Sequence, residues 1–431
     1  MEARTTLPLD VLLYIIDLLA VGDCGDFKSL QTLSQTCKSM VPLCRKHLFS
    51  SLAFGKGLNS IERFSDLLSK NPDIARYVKT LLYNVIEDYE NNIHDHIIDC
   101  EMNIFNILNE RSSLLSIDLS SEGSDWNDLP ESIRSSLVFL IQLPTVTHLT
   151  INRFKGFPTT ALSGCSNLID LQLRDLELAP NEVNHVIWRI EIPTPVSLDI
   201  SKNASGLLAL LNSTSLHLDG PIVDLTRLQT AEFEVEYRDD IVQVNELIKM
   251  TTRLEHFIMC ISMNRECLAL SLILQKLDRI ILVIEPLELA ELGSSLAINA
   301  YRTLKSLIVG VTVVQGDDHD SDPLCGLNRE LKFIAGNNIL EELELNVGVQ
   351  EDAICRTDSE QWPTFDSLLT ESGAFPMLHR VSVGIWFRWD FESVYTGREL
   401  KEQMESSMED KFPRLVESKV EFNFFVNESE L

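Results

Sequence analysis

Nine cysteines and nine histidines are the raw material from which this chain of 431 residues could build a nucleophile or a metal site. The cysteines are odd in number and scattered. They have neither the paired short spacing of a zinc site nor the density of a disulfide scaffold. Cys37 and Cys260 fall inside apolar runs and read as small core residues in a reducing compartment. No histidine stands at ligand spacing beside a cysteine, and His94 and His96 read as part of an exposed polar turn. Gly316-Asp317-Asp318-His319-Asp320-Ser321-Asp322-Pro323 has the carboxylate density of a calcium loop. It lacks the glycine at the sixth position and the distal glutamate, so it reads as a solvated acidic loop. A glycine-rich phosphate loop, a nucleophile elbow, a zinc-binding His-Glu pair and a kinase set are all missing. The expectation is a non-catalytic chain with no metal and no cofactor.

Binding chemistry is better represented. Lys and Arg number 36 against 65 Asp and Glu, a net charge of -29. Duplex binding relies on clustered cations that release counterions from phosphates. No such cluster exists, so neither a nucleic acid nor an anionic membrane is an expected partner. A basic protein segment is compatible with this charge. Gly384-Ile385-Trp386-Phe387-Arg388-Trp389-Asp390-Phe391 gathers four aromatic residues around one arginine, a composition enriched at binding hot spots. Alternation along a strand would send Ile385 and Phe387 inward and leave Trp386 for a partner, with Trp389 as a further candidate.

These residues sit within a repeating pattern. Apolar residues recur at positions 1, 4 and 6 in Val78/Leu81/Tyr83, Leu114/Ile117/Leu119, Val146/Leu149/Ile151, Leu168/Leu171/Leu173 and Pro195/Leu198/Ile200. The series continues through Leu228/Ala231/Phe233, Leu254/Phe257/Met259, Leu277/Ile280/Leu282, Leu304/Leu307/Val309, Leu340/Leu343/Leu345, Leu378/Val381/Val383 and Leu415/Ser418/Val420. This is the strand signature of a leucine-rich repeat. Helical patterns lie between many of the segments, at 97–108, 133–141, 241–248, 287–296, 331–334 and 400–408. Strands alternating with helices predict parallel pairing. The spacing is uneven and the usual asparagine is mostly absent, so the expected product is an irregular α/β solenoid.

Residues flanking the buried strand positions would form the concave face. They run from Thr150, Asn152, Gln172 and Arg174 through Glu232, Glu234 and Glu236 to Ile258, Cys260, Ile281, Val283 and Ile308, then Glu344, Asn346, Ser382, Gly384 and Trp386. Glu234, Glu236, Ile258, Cys260, Ile281, Val283, Ile308, Trp386 and Trp389 are the candidate substrate-binding residues. An acidic strip beside an apolar one suits a basic, partly apolar segment. The second reading is that the apolar strip is covered, because strands buried on both faces also read as continuous apolar runs.

At the other end, residues 7–49 read as short helices joined by a turn at Gly22 and Gly25. Pro8 suits the opening helical position, and Asp10 places a carboxylate against the positive helix end. Leu12, Ile15, Ile16 and Leu19 form one helical stripe, while Val11, Leu13 and Leu18 make the other faces apolar too. Such a helix must be buried on more than one side, and so short a segment cannot bury it alone. Leu30, Leu33, Cys37 and Met40 follow at helical spacing, and Pro42 marks a break. Asp10 and Asp17 argue against a secretory leader, and the run is too short for a membrane span.

Leu7-Pro8, Asp10, the Ile15-Ile16 and Leu18-Leu19 ladder, Leu30, Leu33 and Thr36-Cys37-Lys38-Ser39-Met40 together resemble an F-box motif. The run from Phe64 to Val78 is similar to the join between F-box and repeats in fungal-type F-box proteins. The resemblance implies a short N-terminal three-helix F-box that docks on the Skp-type adaptor of a cullin complex. Its adaptor-binding residues would be Leu7, Pro8, Asp10, Leu12, Ile15, Ile16, Leu19, Leu30, Leu33, Cys37 and Met40. The implied layout is an F-box-like module over 1–50, a helical linker or cap over 51–77, and a leucine-rich-repeat-like solenoid over 78–431. The implied function is substrate recognition for an SCF-type ubiquitin ligase, in the cytoplasm, the nucleus or both. The alternative is a leucine-rich-repeat interaction scaffold whose N-terminal helices only cap the first repeat.

Overall fold

The computed structural model describes residues 8–20, 27–36, 38–55, 58–85, 95–179, 192–201, 221–235, 253–261, 279–284, 303–313, 326–349, 360–389 and 408–430, with the short pieces 268–269 and 289–290 and a few single positions. The fold is mixed α/β with parallel sheets. Two compact units divide the chain: the first is Met1–Pro195 with Ala209–Asp224, the second Val196–Leu208 with Leu225–Leu431.

In the first unit, three helices come first: α1 (Leu9–Ala20), α2 (Phe27–Thr36) and α3 (Met40–Leu48). Pro8 lies just before α1, and its carbonyl accepts the Leu12 N–H at 3.2 Å. Pro42, read from the sequence as a break, is instead the third residue of α3. There its missing N–H removes no intrahelical bond, so the helix runs through it. The three helices share a core of Ile16, Leu30, Met40 and Cys44, wrapped by Leu12, Leu19, Ala20, Leu33, Leu43 and Leu48.

Next comes β1 (Ser51–Phe54), then α4 (Leu58–Lys70), β2 (Thr80–Asn84), α5 (Asp95–Arg111), β3 (Ser116–Ser120), α6 (Glu131–Ile141), β4 (His148–Asn152) and β5 (Asp170–Arg174). The strands pair in chain order and all in parallel. Parallel neighbours need a crossover connection, and α4, α5 and α6 lie in those connections. The register puts Leu52, Leu81, Ile117, Leu149 and Leu171 in one row, and Phe54, Tyr83, Leu119, Ile151 and Leu173 in another. Every one of these side chains is buried. The sheet therefore starts within the stretch read as a helical linker. The residues Phe49, Leu52 and Phe54 carry the same 1, 4, 6 spacing as the later segments.

The second unit repeats the scheme with β6 (Ser197–Ser201), β7 (Thr230–Val235), β8 (His256–Ile261), β9 (Arg279–Ile284), β10 (Ser306–Val313), β11 (Glu342–Val349), β12 (Arg380–Trp389) and β13 (Glu421–Glu430). These also pair in chain order and in parallel. Its described helices include α7 (Leu327–Ile334), α8 (Gln361–Thr370), α9 (Met408–Lys411) and α10 (Pro413–Glu417). The last segment departs from its sequence reading: Leu415 belongs to α10, and Phe422 and Phe424 take the ladder positions opposite Val381 and Val383. The expected helix over 287–296 is replaced at Leu289–Ala290 by a short strand paired with Leu268–Ala269. Most of 241–248 and 400–408, all of 316–323, and His94 lie outside the described residues.

One backbone device recurs at the strand entrances. The Ser50 carbonyl accepts from the N–H groups of both Lys79 and Thr80, Lys79 from Leu115 and Ser116, Leu115 from Thr147 and His148, and Thr147 from Ile169 and Asp170. In the second unit Lys305 serves Glu341 and Glu342, and Glu341 serves His379 and Arg380, in the same way. Backbone donors must be paired when they leave water. A carbonyl shared between two donors meets that need at these entrances without an asparagine ladder.

Candidate functional site

α1 has two apolar faces with different fates. Packing of α2 and α3 consumes the side that carries Leu12, Ile16 and Leu19. The other side remains open: Leu9 is 61% exposed, Val11 38%, Tyr14 64%, Ile15 39% and Leu18 55%. Val11, Tyr14, Ile15 and Leu18 stand at i, i+3, i+4 and i+7, one face of a helix. Phe27, at the start of α2, is a further apolar side chain left 54% exposed. Scattered surface leucines are ordinary, but contiguous apolar patches mark interaction sites.

Of the residues that the F-box resemblance nominated, Pro8, Asp10 and Ile15 are exposed. Ile16, Leu30 and Met40 are buried in the module's own core, and Leu12, Leu19 and Leu33 are half-buried around it. Leu7 and Cys37 lie outside the described residues. The adaptor-binding set read from the sequence leaves out Leu9, Val11, Tyr14, Leu18 and Phe27, although Val11 and Leu18 are among the residues that make the other faces of the helix apolar. The signal for most of them was the apolar character of α1 on every side, but its outward face is decided only by where α2 and α3 pack.

The faces of α1 are fixed by a polar clamp as well. Lys46 Nζ and His47 Nε2, both on α3, each lie 2.9 Å from Asp17 Oδ1 on α1. The hydrogen bond from Lys46, aided by its charge and by His47, holds the Asp17 carboxyl below its ordinary value.

The second candidate is the side of the second-unit sheet that alternates with the buried ladder. Register places Glu232, Ile258, Ile281, Ile308, Glu344 and Ser382 in one row, so acids flank an apolar centre. The next row holds Glu234, Cys260, Val283, Gly310, Asn346, Gly384 and Phe425. Backbones of Glu234, Cys260, Ile281, Val283 and Trp389 are placed in strands, but their side chains, and Glu236 altogether, lie outside the described residues. Ile258 is half-buried. Ile308 is only 8% exposed although Leu307 and Val309 fill the ladder side of the same strand. β10 is thus buried on both faces here, as the second reading of the apolar strip requires. Further along the sheet the face opens at Trp386, which is 36% exposed, while Ile385 beside it is fully buried.

Nucleophilic chemistry finds little support in the geometry. His96 and Cys100 do stand one helical turn apart on α5, with Nε2 and Sγ separated by 3.9 Å. The sequence reading missed this pair because it placed His96 in a turn. Burial, with the carboxylates of Glu62, Asp99 and Asp66 around it, pushes the Cys100 thiol up, whereas a reactive thiol needs the opposite shift. Burial alone drives the Cys165 thiol up to about 12. Among the described residues no group of three or more His, Cys, Asp or Glu converges to hold a metal ion. No described helix is long and apolar enough to cross a membrane.

No family model matches the chain, and no curated protein matches it.

Proposed function

We propose that this chain is the substrate-receptor subunit of an SCF-type ubiquitin ligase. The single observation that carries the reading is the open apolar face of α1, Val11, Tyr14, Ile15 and Leu18 with Leu9, on a three-helix module that has already filled its own core. Helices that served only to cap the first strand would spend their apolar side chains on that strand. This stripe is left over, and its exposure supports docking of a second protein on it.

In this reading the Skp-type adaptor covers the α1 face and links the chain to a cullin. The parallel strands of each unit form a leucine-rich-repeat-like sheet, and the open sheet face around Trp386 selects a protein substrate. The chain contributes no catalytic group. It raises the local concentration of substrate lysines near an activated ubiquitin conjugate, and holding two reactants together is itself a large kinetic effect. Such a subunit works in the cytoplasm, the nucleus or both.

Co-purification of the full chain with a Skp-type adaptor tests the reading. The expected result is a stable one-to-one complex that is more soluble than the lone chain and that recruits cullin. A soluble monomer indifferent to the adaptor would overturn it.

A further inference from the structure

Over Gly384, side chains from three adjacent strands meet. Trp386 Nε1 on β12 donates to Asn346 Oδ1 on β11 at 3.3 Å, and Asn346 Nδ2 donates to Glu344 Oε1 at 2.8 Å. From β13, Phe425 meets the Trp386 ring edge-to-face, with centroids 5.8 Å apart and an interplanar angle of 82°. Asn346, Gly384 and Phe425 share one row of the register. A Cβ on Gly384 would lie 2.5 Å from two Phe425 ring carbons and 2.8 Å from Asn346 Oδ1. The missing side chain is what lets the ring and the amide close over the strand and hold the indole in place.

The charge around this cradle is uneven. Arg380 lies between Glu342 at 2.9 Å and Glu421 at 3.5 Å, so those two carboxylates have a cation inside the protein. Among the described residues Glu344 accepts a neutral amide N–H, and no lysine, arginine or histidine forms an ion pair with it. Both ends of the Asn346 amide are already engaged, which leaves a ligand the exposed part of the Trp386 indole, 36% of that residue, and the Glu344 carboxylate rather than a set of free hydrogen-bonding groups.

We propose that the Trp386–Asn346–Glu344 cradle binds an arginine side chain in an extended segment of a partner protein. An indole is the strongest aromatic partner for a cation. The planar guanidinium can stack on it and present its edge N–H groups to Glu344, a geometry that a lysine ammonium does not reproduce. The net charge of -29 favours encounter with a cationic segment. Calling that segment a substrate rests on the ligase reading, but the binding chemistry does not need the adaptor.

The test uses the full chain as bait for a random peptide display library, followed by affinity measurements on the selected peptides with circular dichroism as the fold check. Arginine should be enriched at one fixed position. Replacing it with lysine should weaken binding about tenfold, and replacing it with citrulline should weaken it further. Trp386→Leu should lose the selected peptides. Glu344→Gln, which is isosteric and keeps the test open if Trp386→Leu misfolds, should weaken binding to the arginine form while leaving the citrulline form unchanged. Arg380→Gln, one step outside the cradle, should retain arginine selection. A selection without arginine preference, or peptides that bind Glu344→Gln as well as the parent, would overturn the proposal. Adaptor co-purification run on the same protein separates the two readings. Arginine-dependent binding without adaptor binding keeps the cradle and removes the ligase, and the reverse result removes the cradle alone.

Discussion

The outward face of α1 makes a quantitative demand. Tyr14 is 64% exposed and Leu18 55%, and they stand one turn apart on the same side of the helix. Fully burying a large apolar side chain is worth about 1.5–3 kcal/mol. With somewhat more than half of each still open, docking can draw roughly 1–1.5 kcal/mol from each, or about 2–3 kcal/mol from the pair. Tyr14→Ser combined with Leu18→Ser should therefore weaken adaptor binding roughly 30- to 150-fold. The same change should leave stability within about 0.5 kcal/mol per site, since neither side chain belongs to the core. Ile16→Ala gives the opposite profile. It opens a cavity among Leu30, Met40 and Cys44 and should cost about 2–5 kcal/mol of module stability. Calorimetric titration with adaptor and thermal unfolding of each variant separate surface from core. A doubly substituted chain that melts as the parent does and binds adaptor within about threefold would refute the assignment of this face, whatever the parent's affinity.

Three further outcomes follow from local geometry. Gly55 has φ +113° and a Cβ there would lie 1.7 Å from the Asn84 carbonyl oxygen, so Gly55→Ala should destabilise the β1–β2 edge by more than about 2 kcal/mol in chemical denaturation; an unchanged midpoint would show that the backbone yields freely. Asp366 on α8 accepts the N–H of Leu415 at 2.7 Å and of Arg414 at 3.1 Å, and Asp366→Ala should cost roughly 1–3 kcal/mol by orphaning these donors, with lost exchange protection at Leu415 as the local check. Because the Asp17 carboxyl is held below its ordinary 3.8, its clamp to α3 is fully present above that value and is lost as pH falls through the depressed one. Asp17→Asn should erase that acid-dependent part of amide protection in α1 and α3, and an unaltered profile would mean that the clamp contributes nothing.

Much of the sheet was legible because a parallel ladder imposes the same two inward positions on every strand. Leu81, Ile117, Leu149 and Leu171, spaced unevenly in the chain, fall into one row of the register. The misses have equally physical causes. β1 carries the pattern, but Gly55 and Gly57 directly after it look like a join. Leu415 is apolar and fully buried, which imitates a strand position, but it is buried by a helical turn after Pro413. The outward stripe of α1 was visible only as excess hydrophobicity. The relay from Trp386 to Asn346 joins residues forty apart, and only strand register can bring them together.

The two candidate surfaces differ in how they use water. The α1 stripe offers apolar area and gains by releasing water from it, a contribution that depends little on salt. The face around Trp386 combines a ring with a carboxylate, so its attraction for a cation is screened by salt and weakened by competing ions. An interaction of the first kind suits a constant partner. One of the second kind, with a single side chain at its centre, suits partners that come and go, because losing one charge on the partner removes most of the discrimination. The stripe is in the first unit and the cradle in the second. A substitution confined to either is expected to leave the fold of the other unit intact, and additive effects of the two on stability would allow the proposed adaptor and substrate roles to be tested separately.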